Sequence, residues 1–189
     1  MSQKLKILGF AGSTREDSFN RKLLRAAAGL AGEVGAEVTI IDLKELDLPF
    51  YDGDLEEREG LPANALKLKK LIAAHDAVLI ASPEYNASVS AVLKNTIDWS
   101  SRPGGEDDPG KIWTEKPVAL LSASPGGLGG IRALNHLRAI LLNVGALVLP
   151  AQFALGGAME AFDEQGALKS TDTQAAVKGV LAQVVKWAR

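Results

Sequence analysis

"KLKILGFAGSTREDSFNRKLL", Lys4 to Leu24, passes from a short apolar run through a polar crossing into a helical pattern. Its opening, "KLKILGF", reads as a buried strand. From Phe19 onward, Phe19, Leu23, Ala27, Leu30 and Val34 recur at helical spacing while Arg21, Lys22, Arg25 and Glu33 fall largely elsewhere, which predicts a helix with one apolar face. Between them stand Ser13, Thr14, Arg15, Ser18 and Asn20, more hydrogen-bonding side chains than a plain connection needs. Strand, polar loop and helix make the first part of a βαβ unit, so the fold turns on whether the unit repeats.

It repeats along the whole chain. "EVTIIDL" from Glu37, "DAVLIAS" from Asp76, "PVALLSA" from Pro117 and "ALVLPA" from Ala146 are further apolar runs. Helical patterns separate or follow them, over roughly 63–74 and 89–101, in "GGIRALNHLRAILLNVG" from Gly129, and in "TDTQAAVKGVLAQVVKW" from Thr171. Strands alternating with helices imply parallel strands joined by right-handed crossovers. The expected architecture is α/β, a three-layer doubly wound five-stranded parallel sheet of flavodoxin-like order 2-1-3-4-5, as a single domain over residues 1–189.

Two Pro-, Gly- and acid-rich insertions interrupt this plan, "DLPFYDGDLEEREGLP" from Asp47 and "RPGGEDDPGKIWTEKP" from Arg102. The first leaves a strand at the edge where such sheets bind ligands, and reads as a lid, a subunit contact or a solvated loop.

Composition narrows the function classes. A chain of 189 residues, 47% hydrophobic, can bury one sizeable core. No run approaches the roughly 18 consecutive apolar residues of a membrane span, and the polar start lacks a signal-peptide pattern, so the expected location is cytoplasmic. A net charge of −2 gives no reason to expect nucleic acid or an anionic membrane as partner. With no cysteine there are no disulfides, thiolate metal sites or thiol nucleophiles, and redox chemistry would need an organic cofactor. No His, Asp or Glu set has metal-ligand spacing. His75 and His136 lie outside the candidate loops and read as structural.

Three loops follow the first, third and fourth strands. In "AGSTREDSFN", helix-terminal amides and the positive end of the helix dipole suit a phosphate. The hydroxyls of Ser13, Thr14 and Ser18, the Asn20 amide and the Arg15 guanidinium add donors. The same residues also make a plain connection, with Asp17 or Ser18 as cap and Arg15 in solvent. Glu16 and Asp17 favour a helix N-terminus without a ligand, and beside a phosphate they would have to point outward.

A dinucleotide fingerprint fits poorly, because Gly-x-Gly-x-x-Gly is absent and Asp42 lies well beyond the roughly 20 residues expected after such a loop. A P-loop would need Gly-Lys-Ser/Thr. In "SPEYNASVSAVLKNTIDWSSR", from Ser82, Pro83 and Asn86 shape a turn and Ser88 or Ser90 caps the next helix. Tyr85 there either offers a ring at the switch point or packs over the sheet edge. In "SASPGGLGGIRALNHLR", from Ser122, Gly126, Gly127, Gly129 and Gly130 either admit close backbone approach or form a flexible helix start.

The order of the three loops resembles the NADPH-dependent FMN reductase family, which includes quinone, azo-dye and chromate reductases. The resemblance spans nearly the whole chain and is strongest in "SPEYN", "LKNTIDW" and "GGIRALNHLR". It implies bound FMN, reduced by hydride from NADPH or NADH at the flavin N5. Two electrons then pass to a small-molecule acceptor such as a quinone, free flavin, azo compound or metal oxyanion.

It places Ser13, Thr14, Arg15, Ser18, Phe19 and Asn20 at the FMN phosphate end, Pro83, Glu84, Tyr85 and Asn86 along the isoalloxazine, and Ser124, Gly126 and Gly127 at its polar edge. No side chain need act as acid or base, so no catalytic residue is assigned. Asp17 departs from the small or basic residue of the family pattern.

The resemblance also implies a homodimer or homotetramer, with Trp99, Arg102 and Arg132 as interface residues or as packing and surface charge within one subunit. A flavodoxin-like electron carrier that binds FMN without nicotinamide turnover is the alternative. The nearly neutral net charge favours the enzyme, since carriers that dock on basic partners tend to be strongly acidic. A Rossmann-type protein binding NAD is the third reading.

Overall fold

The computed structural model describes residues 4–104 and 111–188. Five strands, β1 (Leu5–Ala11), β2 (Ala36–Ile41), β3 (Ala77–Ala81), β4 (Pro117–Ala123) and β5 (Leu147–Leu155), form one sheet in the order β2-β1-β3-β4-β5. Every pairing is parallel, as expected from the alternation of strands and helices. The order reverses between β1 and β3, which opens the crevice beyond their carboxyl ends.

Strand periodicity divides the core in two. Ile7, Leu79, Ala119 and Leu121 face α1 (Phe19–Ala31) and α7 (Thr171–Trp187), which contribute Leu23, Leu24, Val177, Leu181 and Val184. Leu8, Phe10, Val78, Ile80, Val118 and Leu120 face the opposite layer. That layer comprises α2 (Leu43–Leu46), α4 (Ala63–Ala73), α5 (Ala91–Ser100) and α6 (Ile131–Asn143). Because β3 is covered on both faces, all of "AVLIA" is buried, which is why its sequence shows no alternation.

The structure departs from the sequence reading at the first insertion and at the last strand. Asp52 accepts hydrogen bonds from the Asp54 and Leu55 amides and starts a further helix, α3 (Gly53–Glu59). The segment before α3 is fastened to α5. Asn95 Nδ2 and Trp99 Nε1 both donate to Pro49 O at 2.8 Å, and Asn95 Oδ1 accepts from the Tyr51 amide at 2.8 Å. Arg102 Nε bonds both Glu56 carboxylate oxygens at 2.9 Å.

Trp99 is fully buried and meets Tyr51 edge to face, so its role is packing within the chain rather than at an interface. Residues 105–110 of the second insertion lie outside the described residues. Its end is anchored by buried Trp113, whose Nε1 donates to Ser100 Oγ at 3.0 Å.

β5 continues past Ala151, where the apolar run ends, to Leu155. The register slips between Val118 and Leu120, a bulge located at Pro150, which has no N–H to give the ladder. Arg138 from α6 covers the carbonyls of Val148 and Leu149 at 3.2 and 2.9 Å.

Candidate active site

The loop after β1 carries a concentration of unused donors. The Gly12 amide bonds Ala81 O, the Arg15 amide makes a long 3.4 Å contact to Ser13 Oγ, and Ser18 caps α1 by accepting from the Arg21 amide. Among the described residues, the backbone amides of Ser13, Thr14 and residues 16–20 donate to no protein group. They sit at the positive end of α1, which has no acidic residue in its first turn. Ser13 and Ser18 are buried beside them, while Thr14 and Arg15 are exposed. Asp17 turns away: its side chain is 90% exposed and lies 3.9 Å from Lys22. Asp17 thus meets the outward orientation that an anion at this loop would require, and Glu16 is exposed.

Asn20, expected at the phosphate, is engaged within the chain. Its side chain is buried, Nδ2 donates to Ala123 O at 2.9 Å, and Oδ1 accepts from the Ala123 amide at 2.9 Å. It ties the start of α1 to the end of β4 with its carbonyl oxygen and one of its two amide hydrogens. Phe19 is half-buried against the α1/α7 core, with Lys22 Nζ 5.8 Å from its ring centre. Asp42, the acid of the dinucleotide reading, is bonded to Arg21 at 2.6 Å and caps α2 through Lys44 N.

The loop after β3 is a tight two-residue hairpin. Tyr85 and Ser88 exchange both backbone hydrogen bonds, at 2.9 and 3.0 Å, around Asn86 and Ala87 with φ of 50° and 64°. Positive φ at both central positions matches a type I′ turn. Pro83 is buried, whereas Tyr85 projects with 49% of its surface exposed. Ser90 caps α5 and its Oγ donates to Gly12 O at 2.6 Å, fastening this loop to the first.

The Glu84 carboxylate is engaged within the chain: it reaches α6, accepting from Arg132 N at 3.1 Å, Ala133 N at 3.3 Å and Arg132 Nε at 2.7 Å. Burial pushes the Glu84 carboxyl up, but the Arg132 side chain, the two amides and the guanidinium charge outweigh it and hold it below the usual carboxylate range. His136 is not remote from the candidate loops, since its Nδ1 lies 3.0 Å from Ser88 Oγ. His75 is structural, with Nδ1 2.7 Å from Leu71 O.

In the loop after β4, Ser124 Oγ accepts from the Gly126 amide at 3.2 Å. The amides of Gly127 and Leu128 donate to no group among the described residues. A side chain added at Gly127 would meet nothing within 4 Å, and at Gly126 only Ser124 Oγ at 3.8 Å, so a ligand can come close to this backbone. Gly129 is required for another reason, because a Cβ there would lie 2.7 Å from the Ala154 carbonyl carbon.

Three loops thus converge at the switch point, held by Asn20, Ser90 and Glu84. They present a helix start with unengaged amides on one side and open glycine amides on the other. Such a donor set suits the chemistry of a phosphorylated heterocycle. A separate groove of about 680 Å³ between α1 and residues 159–168 shares only Phe19 with these loops. Among the described residues no acidic or histidine cluster could hold a metal ion, and no helix is long and apolar enough to cross a membrane.

Residues 5–160 match the family NADPH-dependent FMN reductase. An NAD(P)H-dependent FMN reductase of Pseudomonas aeruginosa is 37% identical over 191 residues, covering 100% of this chain and 98% of its own. A quinone reductase of Escherichia coli is 38% identical over 163 residues, covering 85% and 81%. Among solved structures, the flavoenzyme NAD(P)H:(acceptor) oxidoreductase FerB of Paracoccus denitrificans superposes with a TM-score of 0.83 at 32% identity, over 97% of each chain.

Proposed function

Because the chain belongs to the NADPH-dependent FMN reductase family, we propose that it is an FMN-dependent NAD(P)H oxidoreductase whose flavin lies across the ends of β1, β3 and β4. The observation that carries this reading is the run of unengaged amides at the start of α1, flanked by buried Ser13 and Ser18. An anion of two negative charges satisfies them, and Arg15 is exposed at the rim to close over it.

FMN, when bound, supplies the redox chemistry: it takes a hydride from NAD(P)H and passes the electron pair to an acceptor. The chain's part is binding and orientation. Ser13, Thr14, Arg15 and Ser18 hold the phosphate, Pro83, Tyr85 and Asn86 line the ring, and Ser124, Gly126 and Gly127 bring polar groups to its edge. Amide dipoles at that edge favour added negative charge on the ring without reorganising. No acid or base is required of the protein.

A quinone is the acceptor class this reading favours, since the exposed Tyr85 and Leu128 flank the crevice with apolar surface for a flat ring. The chain works as a homodimer or homotetramer in the cytoplasm, where NAD(P)H is supplied. The exposed side chain of Phe50 (80%) is apolar surface that a second copy would cover.

Anaerobic mixing of the purified yellow protein with NADPH tests the reading. Bleaching of the flavin band, reversed by adding a quinone, is expected. A yellow protein that does not bleach would be an electron carrier, and a colourless one that FMN does not stabilise would bind no flavin.

A further inference from the structure

The long helices of the crevice differ in how they begin. Ser18, Ser90 and Ser170 cap α1, α5 and α7 from the preceding position. α6 has no such cap. Its N-cap is Gly130, with φ of 92° and no side chain to give. A Cβ there would lie 3.0 Å from Ser122 Cβ and 3.2 Å from its Oγ, in a backbone region that L residues rarely adopt. The loop's close passage over β4 therefore costs α6 its own cap.

Glu84 supplies the missing cap from a different loop. Its side chain is 9% exposed, and one carboxylate oxygen takes the Arg132 and Ala133 amides while the other takes the Arg132 guanidinium. The segment Ser124–Gly130 is in consequence held at both ends. Asn20 fixes Ala123 before it, and Glu84 fixes the first turn of α6 after it. In between, the Gly127 and Leu128 amides remain free.

We propose that Glu84 is a positioning residue for the flavin: by capping α6 across two loops it fixes the glycine-rich loop where its free amides meet the ring, without touching the ring itself. This rests on the flavin-binding reading above, but the cap can be tested without flavin. Three variants separate the roles. Glu84→Ala removes the cap, Glu84→Gln keeps an uncharged acceptor, and Arg132→Ala removes the guanidinium while leaving both amides bonded to Glu84.

The measurements are hydrogen exchange of the residue 126–133 amides in flavin-free protein, and FMN titration of the same protein by fluorescence quenching. Glu84→Ala should speed exchange at Arg132 and Ala133 and weaken FMN binding by about tenfold, the scale of a lost helix cap. Glu84→Gln and Arg132→Ala should stay within about threefold of the parent. If Glu84→Ala does not fold, Glu84→Asp, too short to reach both amides, replaces it with the same expected direction.

Faster exchange with unchanged FMN affinity would overturn the proposal by making the cap purely structural. A Glu84→Gln protein as impaired as Glu84→Ala would overturn it by making charge, not capping, the cause. Absence of FMN binding by the parent would instead count against the flavin reading, and the exchange comparison would still decide whether Glu84 caps α6.

Discussion

Replacing Asn20 by alanine removes the side chain that joins the start of α1 to the end of β4. Two hydrogen bonds are lost, both to Ala123, and both at 2.9 Å in a buried place. The Ala123 N–H and C=O are then left without partners, and Ala123 itself is only 5% exposed. A buried backbone group that loses its partner costs about 1–3 kcal/mol, so two such groups cost about 2–4 kcal/mol once some water entry at the strand end is allowed. For a chain of this size each kcal/mol lowers the melting temperature by roughly 2–4 °C, giving a fall of about 4–16 °C.

Urea unfolding of the flavin-free protein, parent against Asn20→Ala, reads the cost directly, with unchanged m-values as the control for two-state behaviour. FMN affinity should fall in parallel, because the two outer loops of the crevice lose their tie. A variant within 0.5 kcal/mol of the parent, a margin of about one ordinary surface substitution, would refute the reasoning. Asn20 would then be a solvated or ligand-facing donor.

Other expectations follow from single residues. Arg15→Ala should weaken FMN binding by about 10- to 100-fold, the worth of one charge-assisted contact, and leave flavin-free stability unchanged because Arg15 is exposed. Calorimetric titration and a melting curve check both halves. Ala87→Gly should stabilise the protein by about 0.5–1 kcal/mol, since Ala87 holds a φ of 64° that glycine adopts without strain; lower stability in urea would contradict this.

The Glu56 carboxyl is held below the usual carboxylate range chiefly by its hydrogen bond to Arg102, against the effect of burial and with help from Tyr51. Its contribution is therefore full above the ordinary Glu pKa and is lost as pH falls through the lowered folded value. Trp99 fluorescence, which reports the α3–α5 contact through Tyr51, should change in that acid range in the parent and not in Glu56→Gln.

The sheet was legible because its evidence is local. Each strand carries a short apolar run, and in β3, covered on both faces, the run is unbroken. The three candidate loops were legible for the same reason, since donors and glycines gather at strand ends. α3 was obscured by the acidic, Gly-containing composition of its segment, although Asp52 ahead of Asp54 and Leu55 carries a capping signal.

Ser90's cap on α5 was legible, but the bonds that Asn20, Ser90 and Glu84 make between loops were not, because each has a partner far away in the chain that only the fold brings near. Glu84 is the plainest case. A helix that starts at Gly130 looks uncapped, and nothing near it in sequence indicates that a carboxylate after β3 completes it. Trp99 was ambiguous because an indole on a helix surface serves equally to cover an insertion or a neighbouring subunit.

The central claim is that the start of α1 is an anion seat occupied by the flavin phosphate. Titration of flavin-free protein with FMN and, separately, with riboflavin tests it most directly, since the two ligands differ only in that phosphate. Two or more charge-assisted bonds at about 1.5–3 kcal/mol each correspond to FMN binding about 10² to 10⁴ times more tightly than riboflavin. Equal affinities would show that the amides and hydroxyls at the start of α1 do not hold the ligand, and would contradict the account.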